Sequence, residues 1–509
     1  MAEKPPSIPT ATPGPQPALS AAEGVLKKRE FLAGLQCPKQ LWWRVHEPHA
    51  GELIPDSNIR ALIETGRQIG LMAREYVPGG RLVEFRFQTT AARVHATQSA
   101  MQGEPPSLYE ATFAANGLVV HTDILERTPD GWTLIEVKSS VGVKEQHLTD
   151  VAVQAHVLRA SGIDVRRVEI MHLNRDCRHP DLSNLFTRQD VTAQVVEIES
   201  RLGGLVRAQL AMLDGPLPEK ATGDHCSSPR KCPFWGRCWP ELPQDHVSTV
   251  HGVRKTKVQQ WQEQGWHTVR DLPEDLELPP IARRQVTSVR AGNLQVEDGL
   301  AEVLGGFRPP LAFLDFEAVF PPIPRWPGCG PYTHVPVQLS CHTQTEAGHR
   351  HSEWLADGPG DPRPQFAEFL IDACSGAGTI LVYNAGYEAA CIRHLAQTLP
   401  SLAAELGDIE SRLMDLLPVV SAFVYHPAFG GSFSLKDVVP ALVPDVRYCG
   451  MEISEGRTAS NELMRLLFDG GLNLQERSMI REALLAYCQQ DTWAMVRLFQ
   501  RLTELSRPT

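Results

Sequence analysis

Apolar residues along this chain follow two alternating periods, and each change of period marks an element. Over 26–43 and 62–76 they recur every three or four positions, which predicts helices across 25–75. Over 107–140 the period falls to two. Strands are predicted at 108–113, 118–125 and 132–138, with turns at Gly117 and at Pro129-Asp130-Gly131. A helix follows over about 150–160. Residues 246–300 are polar with a helical pattern. Beyond them the spacing predicts strands at 311–317, 336–342 and 379–384. It also predicts helices at 366–373, 388–399 and about 475–502. Both halves mix the two periods, so the fold class is α/β. A chain of 509 residues is too long for one core. The pattern divides it into a Pro-, Ala-, Ser- and Thr-rich tail at 1–24, expected to be disordered, a first domain at 25–245, a helical linker at 246–305 and a second domain at 306–509.

Composition narrows the function classes. Apolar content of 42% with 21% charged residues is that of an ordinary globular protein. No apolar run approaches the length of a membrane span, and the N-terminus has no hydrophobic signal core, so a cytoplasmic protein with no membrane partner is expected. The net charge of −11 argues against a protein that coats nucleic acid. It leaves room for a nuclease, whose metal-binding carboxylates add negative charge. A local basic patch does exist, at Lys220, Arg230, Lys231, Arg237, Arg254, Lys255 and Lys257. Eleven cysteines in a cytoplasmic chain are not expected to form disulfides.

The three strands over 107–140 carry Glu110, Asp123 and then Glu136-x-Lys138, and the helix after them carries Gln154. Strand side chains alternate faces, so Glu136 and Lys138 point the same way. Acidic groups of this kind hold a divalent ion, Mg²⁺ or Mn²⁺, and a lysine beside them orients water or offsets charge on phosphate. The expected chemistry is metal-assisted phosphodiester hydrolysis; the alternative is a surface hairpin with solvated charges. The ordered set resembles the RecB-type branch of the PD-(D/E)XK nucleases. That resemblance implies a restriction-endonuclease-like core with Asp123, Glu136 and Lys138 at its centre and Gln154 on the adjoining helix. The branch places a tyrosine where Leu158 stands here, and a histidine on an early helix. This chain reads Gly66-Arg67-Gln68-Ile69-Gly70 on that helix, which leaves Glu110 as the candidate for the missing ligand.

Three cysteines, Cys226, Cys232 and Cys238, are evenly spaced in a Pro-, Gly- and aromatic-rich segment. Some RecB-type nucleases hold a 4Fe–4S cluster with one cysteine before the nuclease core and three after it. Cys37 with Cys226, Cys232 and Cys238 resembles that layout. The alternative is Zn²⁺ on the same four thiols, or with His225 in place of Cys37.

In the second domain, Asp315 and Glu317 share one face of the opening strand, where two like charges call for a neutralising cation. Downstream come Asn384-Ala385-Gly386-Tyr387-Glu388 at a strand-to-helix junction, and Tyr487 with Asp491 four apart on one helix face. This set resembles the DnaQ-like 3′–5′ exonucleases of RNase H-like fold, in the subclass with tyrosine in the third motif. The resemblance implies metal ligation by Asp315, Glu317, Glu388 and Asp491, with Tyr487 orienting the attacking water. Taken whole, the chain resembles an uncharacterised bacterial family that pairs the two nuclease types. The expected function is a two-domain metal-dependent nuclease acting on nucleic acid, DNA rather than RNA. The rivals are one active nuclease domain beside a degenerate binding domain, and a non-catalytic nucleic-acid-binding scaffold. Residues 250–272 vaguely resemble a helix-hairpin-helix, with a plain helical linker as the alternative.

Overall fold

The structure is a computed structural model that describes residues 25–83 and 89–507. The tail expected at 1–24 lies outside the described residues. The chain divides into two compact units at Pro240/Glu241, with Arg178–Pro180 grouped with the second. No helix among the described residues is long and apolar enough to cross a membrane. Both units are α/β.

The first unit is built on a seven-stranded sheet. Its strands are β1 (Leu26–Lys27), β2 (Arg81–Leu82), β3 (Ser107–Ala115), β4 (Leu118–Thr128), β5 (Gly131–Lys138), β6 (Val165–Leu173) and β7 (Phe186–Asp190), in the order β2-β3-β4-β5-β6-β7, with β1 paired to β4. The three strands predicted over 107–140 form the central meander. Asn116 and Gly117 both take positive φ (51° and 76°), the two-residue turn that suits the strand twist and that Asn-Gly favours. β5 and β6 are parallel, so a crossover is required. The helix Glu145–Ala160 supplies it and buries Val151, Val153, Val157 and Leu158 against the sheet. Leu158, standing where the family has a tyrosine, is therefore a core residue.

The single helical run expected over 26–43 is broken. Helices Lys28–Gln36 and Pro38–His46 meet at Cys37, whose φ of −159° and ψ of 124° are extended. The cause is Pro38, whose ring disfavours a helical conformation in the residue before it.

The second unit holds a five-stranded sheet of order β11-β10-β9-β12-β13 and a two-stranded pair, β14-β8. Its strands are β8 (Gln295–Val296), β9 (Leu311–Val319), β10 (Val335–Thr345), β11 (Gly348–Leu355), β12 (Thr379–Val382), β13 (Leu413–Asp415) and β14 (Val424–Tyr425). β9, β10 and β11 are antiparallel neighbours, while β12 runs parallel to both β9 and β13. Helices Arg363–Ala373 and Gly386–Thr398 cover one side through Phe366, Leu370, Ile392 and Leu395. The 32-residue helix Leu474–Leu505 runs along β9 and β10.

Residues 246–305 do not behave as a linker. Their Val250, Val258, Trp261, Val286 and Leu300 are buried in one core with Phe313, Leu381, Met495 and Leu498 of the second unit. Their pattern read as polar because each short helix there gives only a narrow apolar stripe to that core. Helices Lys255–Glu263 and Pro280–Ala291 do form in this segment.

Candidate metal centre

Asp315 and Glu317 lie on one side of β9, while Leu314 and Phe316 between and beside them enter the core on the other. Opposite them on β10 stand Ser340 and Gln338. The helix Leu474–Leu505 brings Tyr487, Cys488 and Asp491 against this side, all buried. Its position is fixed by three β10 side chains. Gln338 Nε2 donates to Leu484 O at 2.6 Å, Ser340 Oγ lies 2.7 Å from Thr492 Oγ1, and His342 Nδ1 lies 2.9 Å from the same hydroxyl. The sequence pattern marked β10 as a strand without assigning these residues a task.

Ligand atoms of Asp315, Glu317 and Asp491 come within 4.8 Å of one another, the one such group of three or more His, Cys, Asp or Glu among the described residues. Glu388 is outside this trio but near enough to raise the carboxyls of Asp315 and Glu317. It opens the helix Gly386–Thr398 after Asn384, whose φ is +72°. Asp415 holds that turn by accepting from the backbone N–H groups of Asn384 (2.9 Å) and Ala385 (3.0 Å). Glu388 Oε2 and Asp491 Oδ1 are buried with no hydrogen-bond partner.

Burial and mutual repulsion dominate the electrostatics. Burial, then Asp491, Glu317 and Glu388, push Asp315 well above the ordinary carboxylate range. Burial and Asp491 take Glu317 up to about 8. Burial takes Glu388 up to about 7. Asp491 is raised by burial against the opposing pull of Lys436 and of the neighbouring phenols of Tyr448 and Tyr487. A divalent cation relieves this kind of repulsion, and carboxylates are its natural ligands.

Lys436 is the basic group here that the sequence reading did not single out. It stands in the first turn of the helix Leu435–Leu442. Its Nζ donates to Tyr487 Oη at 2.8 Å and to Ser454 O at 2.6 Å, and lies over the Tyr487 ring at 4.5 Å. A lysine there opposes the helix dipole, and that is the one sequence signal that marked it.

In the first unit the acidic residues form a different arrangement. The ladder pairs Tyr109 with Ile124 and Ile124 with Ile135. The next position along each strand is Glu110, Asp123 and Glu136, side by side. Glu110 takes a φ of +59°, its rung is missing from the ladder, and its carboxylate accepts from Arg74 Nη2 at 2.5 Å. It therefore pairs with an arginine instead of joining Asp123 and Glu136 as a ligand. Asp123 Oδ2 accepts from Val137 N at 2.7 Å, and Gln154 Nε2 donates to Glu136 Oε2 at 2.6 Å. Lys138 Nζ donates to Glu136 Oε1 at 2.7 Å and to Asp150 Oδ2. Lys28, which no motif pointed to, reaches Glu136 Oε1 at 3.3 Å and Asp150 Oδ1 at 2.8 Å. Burial opposes charge on Glu136, yet Lys138 and Lys28 outweigh it and hold this carboxyl below its ordinary range. Asp123 is raised, by burial and by Glu136.

Cys37, Cys226, Cys232 and Cys238 are free thiols gathered in the same unit. Burial, then Cys37 and Cys226, raise Cys232, and the latter two also raise Cys238. Gln36 Nε2 ties the segments together by donating to His225 O and Arg230 O, both at 2.7 Å. Cys232 N donates to Cys226 O at 2.8 Å. His225 Nε2 lies 3.6 Å from Cys226 Sγ. No three of these sulfurs lie within 4.8 Å of one another.

Comparison with known proteins adds one family match. Residues 312–434 match a family model described as a domain of unknown function, DUF2779. That span runs from β9 past Glu388 and stops short of Lys436, Tyr487 and Asp491. No curated protein matches the chain. A solved structure titled "Crystal structure of SSO0001" is 12% identical over 43% of this chain and 88% of its own, with a TM-score of 0.20.

Proposed function

We propose that the second unit is a metal-dependent nuclease that removes nucleotides from a nucleic-acid 3′ end, DNA in preference to RNA. The observation that carries this reading is the acidic trio of half-buried Asp315 and Glu317 with buried Asp491, beside buried oxygens of Asp491 and Glu388 that have no hydrogen-bond partner. A mixed sheet with helices on both sides supports the RNase H-like, DnaQ-type assignment. The four carboxylates would hold Mg²⁺ or Mn²⁺. When bound, the metal supplies Lewis-acid charge that favours hydroxide over water and offsets charge on the leaving oxygen.

The chain's own groups do the rest. Tyr487 accepts a hydrogen bond from Lys436 and donates one toward Asp491. Its remaining lone pair then has one direction in which to accept a hydrogen bond from the attacking water and orient it. Lys436 adds a fixed positive charge beside the place where phosphate charge builds.

For the first unit we infer a RecB-type PD-(D/E)XK module whose ends are joined by a 4Fe–4S cluster on Cys37, Cys226, Cys232 and Cys238. Tetrahedral zinc with bonds of about 2.3 Å needs sulfurs only about 3.8 Å apart. In a four-iron cluster each thiolate takes a different iron, so the sulfurs need not converge on one ion. The buried Gln40 amide nitrogen, which has no formed hydrogen bond, faces the Cys232 thiol and suits a sulfur-rich partner. A second reading, one active unit beside a nuclease-derived unit that only binds, is favoured by one observation. The oxygens of Glu136 and Asp150 are already taken by lysines and Gln154.

The test is cleavage of 3′- and 5′-labelled single- and double-stranded DNA and RNA with Mg²⁺ or Mn²⁺, comparing wild type with Asp315→Ala and Lys138→Ala. Loss of stepwise 3′ shortening in Asp315→Ala is the expected result. No product from any strand under either metal would refute the enzyme reading.

A further inference from the structure

The first unit's acidic residues form a closed ring of alternating charge. Lys28 meets Glu136 at 3.3 Å, and Glu136 meets Lys138 at 2.7 Å. Lys138 meets Asp150, and Asp150 meets Lys28 at 2.8 Å, the last an ion pair off the hydrogen-bond direction. Each ammonium touches both carboxylates, and each carboxylate touches both ammoniums. Gln154 takes the one Glu136 oxygen left over. Glu136 is 4% exposed, so water is not available to replace these partners.

Lys28 is placed by local structure. β1 pairs with β4 at Leu26↔Leu118 and Lys27↔Val119, and Lys28 starts the next helix directly beside the strand that carries Asp123. Its charge opposes the positive end of that helix, an unfavourable placement that the two carboxylates offset here. A divalent ion bound by Glu136 would have to displace this ammonium, strip Gln154 from its oxygen, and leave the half-buried Lys28 beside a second cation.

We propose that Lys28 is an internal cation occupying the position of a metal in the first unit, so that this unit holds no divalent ion at millimolar Mg²⁺ or Mn²⁺. The inference rests on the reading of this unit as a PD-(D/E)XK module and refines it. The residues that such a module uses for its metal are present, but both Glu136 oxygens are taken by the chain itself and Asp123 already accepts from the Val137 N–H. The second unit differs: its one lysine contacts Tyr487 and leaves carboxylate oxygens unpartnered.

The experiment counts bound Mn²⁺ by electron paramagnetic resonance of the free ion in the full-length chain. Wild type is expected to bind Mn²⁺ that is lost in the D315N/D491N variant, and D315N/D491N is expected to bind none at millimolar Mn²⁺. Binding in D315N/D491N that disappears on adding E136Q would overturn the proposal, and this arm needs no change at Lys28. In the second arm, K28M is added to D315N/D491N. A gained ion, at least tenfold tighter than in the parent and removed by E136Q, supports it. A folded K28M variant, by circular dichroism, that gains no ion overturns it. If wild type binds no ion that D315N/D491N removes, the metal reading of the second unit fails, while the two arms at Lys28 still decide this proposal.

Discussion

Adding a divalent ion should stabilise the second unit only above neutral pH, and the structure sets the size of the effect. Glu317 rises from an ordinary 4.5 to about 8 and Glu388 to about 7, burial being the first cause in each. A carboxyl raised in the folded state contributes stability while it is protonated. That contribution is present below pH 4.5 and disappears as the pH rises through about 7 for Glu388 and about 8 for Glu317. Ionising Glu317 alone removes on the order of 5 kcal/mol, at about 1.4 kcal/mol per tenfold change in equilibrium constant. A bound cation replaces the lost protons. At a hundredfold excess over Kd it returns about 2.7 kcal/mol, which for a domain of 150–250 residues is roughly 5–10 °C in Tm. Differential scanning fluorimetry with and without Mn²⁺ should therefore show a shift of that size at pH 8.5. At pH 6, where these carboxyls keep their protons, the shift should be under roughly 2 °C. An equal shift at both pH values, or a full shift in Asp315→Asn/Asp491→Asn, would refute the reasoning.

Lys436→Met should lower cleavage by roughly a hundred- to a thousandfold, the scale of a lost charge-stabilising or water-orienting group, without weakening Mn²⁺ binding, because a like charge near the metal is removed; titration of Mn²⁺ beside steady-state rates separates the two. Cys37→Ser should bleach a brown protein and lower its iron content, by metal analysis; a colourless wild type carrying zinc would contradict the cluster. Trp261→Ala should cost about 3–5 kcal/mol in the second unit's unfolding, as a buried core tryptophan does; an unchanged melting transition would restore 246–305 to a linker. Glu388→Asp, which withdraws the carboxylate by one methylene, about 1.5 Å, should reduce cleavage at least tenfold; wild-type rates would mean that Glu388 does not reach the metal.

The elements were legible where one period ran without interruption. β3, β4 and β5 stood out as short apolar runs bounded by turn residues and are buried over most of their length, and β9 announced itself because two carboxylates interrupt an otherwise apolar strand. The break at Cys37 was less visible, since Pro38 is compatible with a first helical turn and only its effect on the preceding residue ends the earlier one. The core role of 246–305 was hidden by short helices, each giving two or three apolar residues to a core completed by residues far away in sequence. Spacing named Asp315, Glu317, Glu388, Tyr487 and Asp491 because all lie on a strand or a helix turn with a fixed period. It could not supply Lys28 and Lys436. Both are ordinary lysines in the first turn of a helix, where they oppose the dipole, and what each contacts is set by tertiary packing.

Those two lysines also explain why acidic sets of similar composition make opposite demands on a cation. Each unit assembles four carboxylates: Glu110, Asp123, Glu136 and Asp150 in the first, Asp315, Glu317, Glu388 and Asp491 in the second. Counting carboxylates predicts the same metal affinity for both. Counting their partners does not. In the first unit Arg74 takes Glu110, the Val137 N–H takes Asp123, and two ammoniums with one amide take Glu136 and Asp150. In the second, the neighbours in contact are a thiol, Cys488 at 3.4 Å from Asp315, and the phenols of Tyr448 and Tyr487, while one ammonium, Lys436, stands behind Tyr487 and offsets only part of the charge on Glu317 and Asp491. Neutral donors satisfy hydrogen bonds but leave repulsion between the carboxylates intact, whereas ammonium groups remove it. Cation demand at an acidic site thus follows the charge of the groups that contact it, and on the reading proposed above that criterion favours Asp315, Glu317 and Asp491 over Glu136 as metal ligands.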